Sequence, residues 1–236
     1  MAARTPTILA MGGIQLVPGT PDWPLLQFML DLSRQERPRI CMLATASGEN
    51  ASGLANYYAT FARQAEPTHL DLFGRSVGDL GGFLLDQDVI LVGGGNTANM
   101  LAIWRLHGVD KALKAAWESG VVLAGWSAGA NCWFESSVTD SFGPNLDPLK
   151  DGMKLLDGSF CPHYDSESLR RPRYEELVGR GTLSDGFAAD DGVGILFEGR
   201  RLVEAVASLP GQHAYRVDRR KGNSVEETQI RARLLR

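Results

Sequence analysis

The sequence predicts an α/β fold, a mostly parallel sheet with helices on both faces, ending in antiparallel hairpins. Three observations predict it. Short apolar runs alternate with helix-compatible segments over the first two thirds of the chain. From about Gly186 the runs crowd together, parted by glycine or charged turns. And a glycine-flanked serine, in Gly125-Trp126-Ser127-Ala128-Gly129, follows directly on one of the apolar runs.

Taken in order, Thr7–Met11, Arg39–Leu43, His69–Leu72, Val89–Val92 and Val121–Ala124 read as short buried strands. Between them, Trp23–Ser33, Leu54–Gln64, Thr97–Leu106 and Asp110–Glu118 carry apolar residues at helical spacing. A further strand is expected to end before Pro162, with a helix starting near Ser166. Phe187–Ala189, Val193–Phe197, Arg201–Ala207, Ala214–Val217 and Gln229–Leu234 read as strands of the hairpin-rich end. With 236 residues, 44% of them hydrophobic, and no repeat or low-complexity linker, a single domain over 1–236 is expected.

Charge and composition exclude several classes. The 24 Lys and Arg against 28 Asp and Glu leave a formal charge of -4, which argues against nucleic acid or an anionic membrane as partner. Met1 to Pro6 lead straight into the first strand, without a signal-peptide core, and no run is long enough to span a bilayer. Three cysteines without metal-ligand spacing, Cys41, Cys132 and Cys161, argue against a disulfide framework. A cytoplasmic protein is expected.

Ligands of open parallel sheets bind beyond the carboxyl ends of the strands. Two loops lie there. Ser127 sits in a G-x-S-x-G elbow, where a sharp strand-to-helix turn pushes the hydroxyl out of the sheet and the helix aims its first amides, from Ala128 on, beside it. Gly93-Gly94-Gly95-Asn96-Thr97 follows Val89–Val92; it lacks the lysine of a phosphate loop, and reads either as a tight turn or as the source of an oxyanion-binding amide at Gly95.

A nucleophilic serine needs a base and an acid that orients it. Of the four histidines, His69 lies in a strand, His107 at a helix end and His213 in the hairpin region. His163, in Phe160-Cys161-Pro162-His163-Tyr164-Asp165-Ser166-Glu167, stands at a strand end and is the candidate base. The candidate acids are Glu135, Asp140, Asp190 and Asp191, while Asp165, two residues from the base, is expected to point elsewhere. Cys132 reads as core packing, whereas strand alternation would turn Cys161 to the same face as His163.

These residues together resemble the peptidase E (aspartyl dipeptidase) family of serine peptidases, with its cyanophycinase-like relatives. The resemblance runs over nearly the whole chain, on Val92-Gly93-Gly94-Gly95-Asn96-Thr97, Gly125-Trp126-Ser127-Ala128-Gly129-Ala130-Asn131 and Pro162-His163. It implies a three-layer α/β/α fold like that of class I glutamine amidotransferases. It also implies Ser127 as nucleophile, His163 as base, and the Gly95 and Ala128 amides as oxyanion hole. Asp191 matches the family's late Glu-Gly position, with Asp140 as a supporting carboxylate and Glu135 a third choice. Because Asp is shorter than Glu, Asp191 needs a closer backbone or a bridging water to reach His163. Asn96 and Arg170 fall at substrate-binding positions, the arginine gripping a substrate carboxylate. The implied activity is hydrolysis of short peptides, such as dipeptides with an N-terminal Asp, without metal or cofactor, by a monomer or homodimer. The alternatives are a cyanophycinase-like or other small amide or acyl hydrolase, and a silent member that binds a small ligand.

Overall fold

The structure, a computed structural model, describes residues 5–236. The sequence reading of the first residues therefore falls, for Met1 to Arg4, outside the described residues. The elements run β1 (Thr7–Met11), α1 (Trp23–Asp31), β2 (Arg39–Leu43), α2 (Ala51–Phe61), β3 (Glu66–His69), α3 (Leu80–Leu85) and β4 (Val89–Val92). They continue with α4 (Thr97–His107), α5 (Val109–Glu118), β5 (Val122–Trp126), α6 (Ala128–Asn131), β6 (Phe134–Thr139), β7 (Asp147–Leu149), β8 (Leu156–Cys161) and α7 (Arg170–Gly179). The chain ends in β9 (Gly186–Ala189), β10 (Val193–Glu198), β11 (Arg201–Ala207), β12 (Ala214–Arg220), β13 (Ser224–Ile230) and β14 (Arg233–Leu234).

The main sheet has eight strands in the order β14-β11-β10-β1-β5-β4-β2-β3. β1, β5, β4, β2 and β3 are mutually parallel, and β10 runs antiparallel to β1. Every residue of β4 is buried, as in a sheet covered on both faces. Alternate side chains feed two cores. Leu9, Met11, Ile40, Met42, Leu91 and Ala124 pack under α1 and α2 with Leu25, Met29, Tyr57 and Phe61. Ile8, Ala10, Cys41, Leu43, Ile90, Val92 and Leu123 pack on the opposite face with Trp104, Leu113, Trp133, Phe134 and Phe160. The result is the expected three-layer α/β/α arrangement.

A second sheet, β13-β12-β9-β8-β6-β7, was not foreseen. The late hairpins look alike in sequence, yet β10–β11 joins the main sheet beside β1 while β12–β13 extends the second sheet beside β9. That choice rests on pairings between distant segments, which local pattern does not encode. The apolar run expected as a strand over His69–Leu72 is displaced to Glu66–His69, because β3 pairs with β2 in the register Arg39↔Glu66 to Met42↔His69. Leu70 and Leu72 are buried from the loop beyond, where the Glu49 carboxylate accepts the Leu72 amide at 2.6 Å. α3 was missed because Gly81 and Gly82 lower its helix propensity; Asp79 caps it by accepting the Gly82 amide at 2.9 Å. The helix expected from Ser166 begins at Arg170. No helix among the described residues is long and apolar enough to cross a membrane.

Candidate active site

The carboxyl ends of three adjacent strands converge. β1 runs into Gly12-Gly13, β4 into Gly93-Gly94-Gly95, and β5 into Ser127. Ser127 has φ 54° and ψ -117°, a conformation that costs a non-glycine residue on the order of 1–3 kcal/mol. The neighbourhood holds it there. Its amide donates to the Gly12 carbonyl at 3.0 Å, and its own carbonyl accepts the Ala130 and Asn131 amides at 3.0 and 2.9 Å. The flanking glycines are required by contact: a Cβ at Gly129 would lie 2.2 Å from the Val92 carbonyl oxygen, and one at Gly125 would lie 2.3 Å from that of Gly129. Helix α6 is thus pressed against β4 and β5, with Ser127 at its mouth.

The triple-glycine loop lies against the serine. A Cβ on Gly94 would stand 3.3 Å from Ser127 Cβ and 3.0 Å from Trp126 Nε1, so the Trp126 indole covers this turn. Gly95 has φ 134°, open to glycine alone. Among the described residues neither the Gly95 nor the Ala128 amide donates to a protein acceptor. Asn96 is occupied otherwise. Its side chain caps α4 by accepting the Asn99 amide at 2.8 Å and donates to the Ser141 carbonyl at 3.0 Å, which ties the glycine loop to the end of β6. Both ends of the amide expected to meet substrate are engaged in holding the loop.

His163 follows β8 and also has a positive φ, 54°. Its Nδ1 lies 2.7 Å from Asp191 Oδ1. No bridging water is needed for the shorter carboxylate, because the backbone comes closer: Asp191 forms a parallel bridge with Gly13, and the Gly192 amide donates to the Gly13 carbonyl at 2.7 Å. A cleft of about 170 Å³ opens beside the pair, lined by Gly13, Gln15, Asp22 and Gln212 among others. Burial pushes the Asp191 carboxyl up, but the hydrogen bond from His163, the Ser166 hydroxyl, and the charges of His163 and Arg170 outweigh it and hold it below the usual value. Asp191 is therefore ionised at neutral pH.

The other candidate acids lie elsewhere. Asp190 points to β12, accepting the His213 amide at 2.9 Å and the Tyr215 hydroxyl at 3.4 Å. Glu135 accepts the Gly158 amide at 2.9 Å and serves β8. Asp140 is exposed just beyond β6, its carbonyl closing a turn to Gly143, and is not brought to His163 by any contact. Arg170 departs from expectation: its side chain is 4% exposed, with Nε on Glu167 at 2.7 Å and a second nitrogen on the Val138 carbonyl at 3.3 Å. A guanidinium so engaged has no free fork for a substrate carboxylate, though its charge reaches Asp191. Cys161 turns away from His163 into a cluster with Tyr164, Tyr174 and Leu177, because the positive φ at His163 breaks the strand alternation. Burial pushes its thiol well up, as it does that of Cys132. Of the other histidines, His69 bonds the Tyr58 hydroxyl at 2.6 Å, and His213 Nδ1 accepts the Ala232 amide at 3.4 Å.

Sequence reading missed three contributors. Gly12-Gly13 was legible only as a loop after β1, yet a Cβ at Gly13 would meet Asp191 Oδ1 at 2.1 Å and the His163 ring at 2.7 Å. Asp165, expected to point away, accepts the Asp191 amide at 2.9 Å. Asp22, at the start of α1, is 6% exposed and accepts the Gln15 amide at 2.7 Å; burial raises its pKa, and the nearby Asp191 charge adds to this. An acid whose folded pKa is raised loses stability as pH climbs from its ordinary value, about 3.9, to the folded one. Asp22→Asn is spared that loss. Denaturant titrations at several pH values should show the variant gaining on the wild type across this window and the gap staying level above it. Among the described residues no group of three or more His, Cys, Asp or Glu is arranged to hold a metal ion.

The model of peptidase family S51 matches residues 8–205, most of the chain. The chain belongs to peptidase family S51. Relatives lie along most of the sequence: the uncharacterized peptidase YgaJ of Bacillus subtilis (strain 168) is 47% identical over 211 residues, 89% of this chain and 91% of its own. Peptidase E of Citrobacter koseri is 33% identical over 111 residues, 46% of this chain and 48% of its own. As an S51 member the chain is a serine-type peptidase. In fold it is similar to a peptidase from an acI-B1 Actinobacterium, with TM-score 0.68, 16% identity and coverage of 98% of this chain and 96% of the other. A protein of Listeria monocytogenes EGD-e named for peptidase E gives TM-score 0.64 at 18% identity, covering 86% of this chain and 98% of the other.

Proposed function

We propose that this S51 peptidase is an exopeptidase of short peptides, dipeptides with an N-terminal Asp among them, working through Ser127, His163 and Asp191 in the cytoplasm. The observation that carries the reading is the 2.7 Å contact of His163 Nδ1 with Asp191, packed on Gly13 one residue from the carbonyl that holds Ser127. In the first step Ser127 Oγ attacks the scissile carbonyl and passes its proton to His163 Nε2, while Asp191 stabilises the resulting imidazolium. The carbonyl oxygen, now an anion, takes hydrogen bonds from the Gly95 and Ala128 amides, each such donor contributing about 100- to 1000-fold in rate. His163 returns the proton to the departing amine as the C–N bond breaks. Water, deprotonated by the same imidazole, then cleaves the acyl-enzyme and frees Ser127.

Arg170 has no carboxylate-gripping role in this scheme, so a preference for acidic substrates must come from other groups. The test is a panel of Asp-X dipeptides, neutral dipeptides, an N-acetylated dipeptide, β-aspartyl-arginine and a decapeptide. Free dipeptides should be turned over with the highest kcat/KM. Faster cleavage of the decapeptide or of the N-acetylated substrate would overturn the exopeptidase reading, and exclusive cleavage of β-aspartyl-arginine would put the enzyme with the cyanophycinase-like relatives.

A further inference from the structure

The base and its acid stand on two separate loops, and each loop is under strain or crowding. His163 is a non-glycine residue at φ 54°, and Asp191 is squeezed against Gly13. Holding Nδ1 and Oδ1 at 2.7 Å thus depends on what ties the loops to each other. On one side Asp191 is fixed by the bridge to Gly13 and the Gly192–Gly13 hydrogen bond. On the other side there are three ties from the histidine loop, one of them the Ser166 hydroxyl on the Asp191 carboxylate. The Tyr164 amide donates to the Ala189 carbonyl at 3.2 Å, anchoring the residue after the base to the end of β9. The Asp165 carboxylate accepts the amide of Asp191 itself, at 2.9 Å.

We propose that Asp165 is a positioning residue: its carboxylate fixes the backbone of Asp191 from the histidine loop, setting the distance between acid and base. The inference rests on the triad reading above. Asp165 is exposed, and this decides how its loss is felt. In its absence water can satisfy the Asp191 amide, so little stability is at stake. Water is not attached to the histidine loop, however, and cannot set the separation of two groups. The loss therefore falls on turnover, and the geometric role needs an acceptor at this position rather than its charge.

Kinetics and melting of Asp165→Ala and Asp165→Asn test this, with Ser127→Ala and Asp191→Asn as controls. Asp165→Ala should lower kcat by about 10- to 100-fold with KM changed less than about twofold, as expected when a supporting hydrogen bond around a catalytic group is removed. Asp165→Asn, which keeps an oxygen acceptor, should restore kcat to within about threefold of wild type. The proposal is overturned if Asp165→Ala turns over normally, if Asp165→Asn is as slow as alanine, or if Asp165→Ala fails to fold, since its role would then be absent, electrostatic or structural. Failure of the triad reading looks different: Ser127→Ala or Asp191→Asn would remain active.

Discussion

Ser127→Ala is expected to lower kcat by about 10⁴- to 10⁶-fold while leaving the fold in place. The hydroxyl is the only group removed, and among the described residues it makes no capping bond to α6. The strained backbone at φ 54° is held by the carbonyls of β1 and the amides of α6, all of which alanine keeps. A thermal melt matching the wild type, alongside loss of turnover on the best dipeptide, would isolate the chemistry from the scaffold. Residual hydrolysis above the uncatalysed rate is expected, because substrate positioning and the oxyanion amides survive. Wild-type turnover by this variant would place the nucleophile elsewhere.

Gly13→Ala should be strongly damaging although Gly13 takes no part in moving the proton. The backbone at this position is not in the left-handed region, so alanine is conformationally acceptable there. Its methyl is not. It would sit 2.1 Å from Asp191 Oδ1 and 2.7 Å from both Cε1 and Nδ1 of His163, so one partner of the pair must move. A displacement near 1 Å at a catalytic group costs on the order of 100-fold, and loss of the base's orientation costs more; a fall in kcat/KM of about 10²- to 10⁴-fold is expected. The variant should still label with a fluorophosphonate, though slowly, because Ser127 and its elbow are untouched. Unchanged kcat/KM would mean that His163 and Asp191 are not needed at this separation.

Much of this site was legible because its parts are local. The elbow announces itself by two glycines around a serine, and contact bears out both: Gly125 and Gly129 meet backbone that leaves no room for a side chain. Val89–Val92 and Arg39–Leu43 are found where the apolar runs lie, since the part of a strand covered on both faces must be apolar, and after Arg39 every residue of the two is buried. Asp191 was separable from Asp190 only by resemblance. One residue apart, they face opposite ways, one to His163 and the other to His213 and Tyr215. Arg170 shows a different limit: its charge reaches Asp191, but whether its guanidinium was free depended on Glu167 and the Val138 carbonyl.

The division has a physical basis. Strand and helix placement, the elbow and the glycine loop follow from hydrophobic period and backbone sterics, which act over a few residues and leave a mark on them. The partner of the base, the second sheet and the roles of Gly13, Asp22 and Asp165 arise where segments far apart in sequence meet. Gly13 and Asp191 bridge across most of the chain's length, and Asp165 reaches Asp191 only because β8 and β9 lie side by side in the second sheet. A carboxylate near the surface carries no local sign of which amide it accepts. Long-range strand pairing decides that, and with it whether the serine announced by its own sequence has a base held in place to serve it.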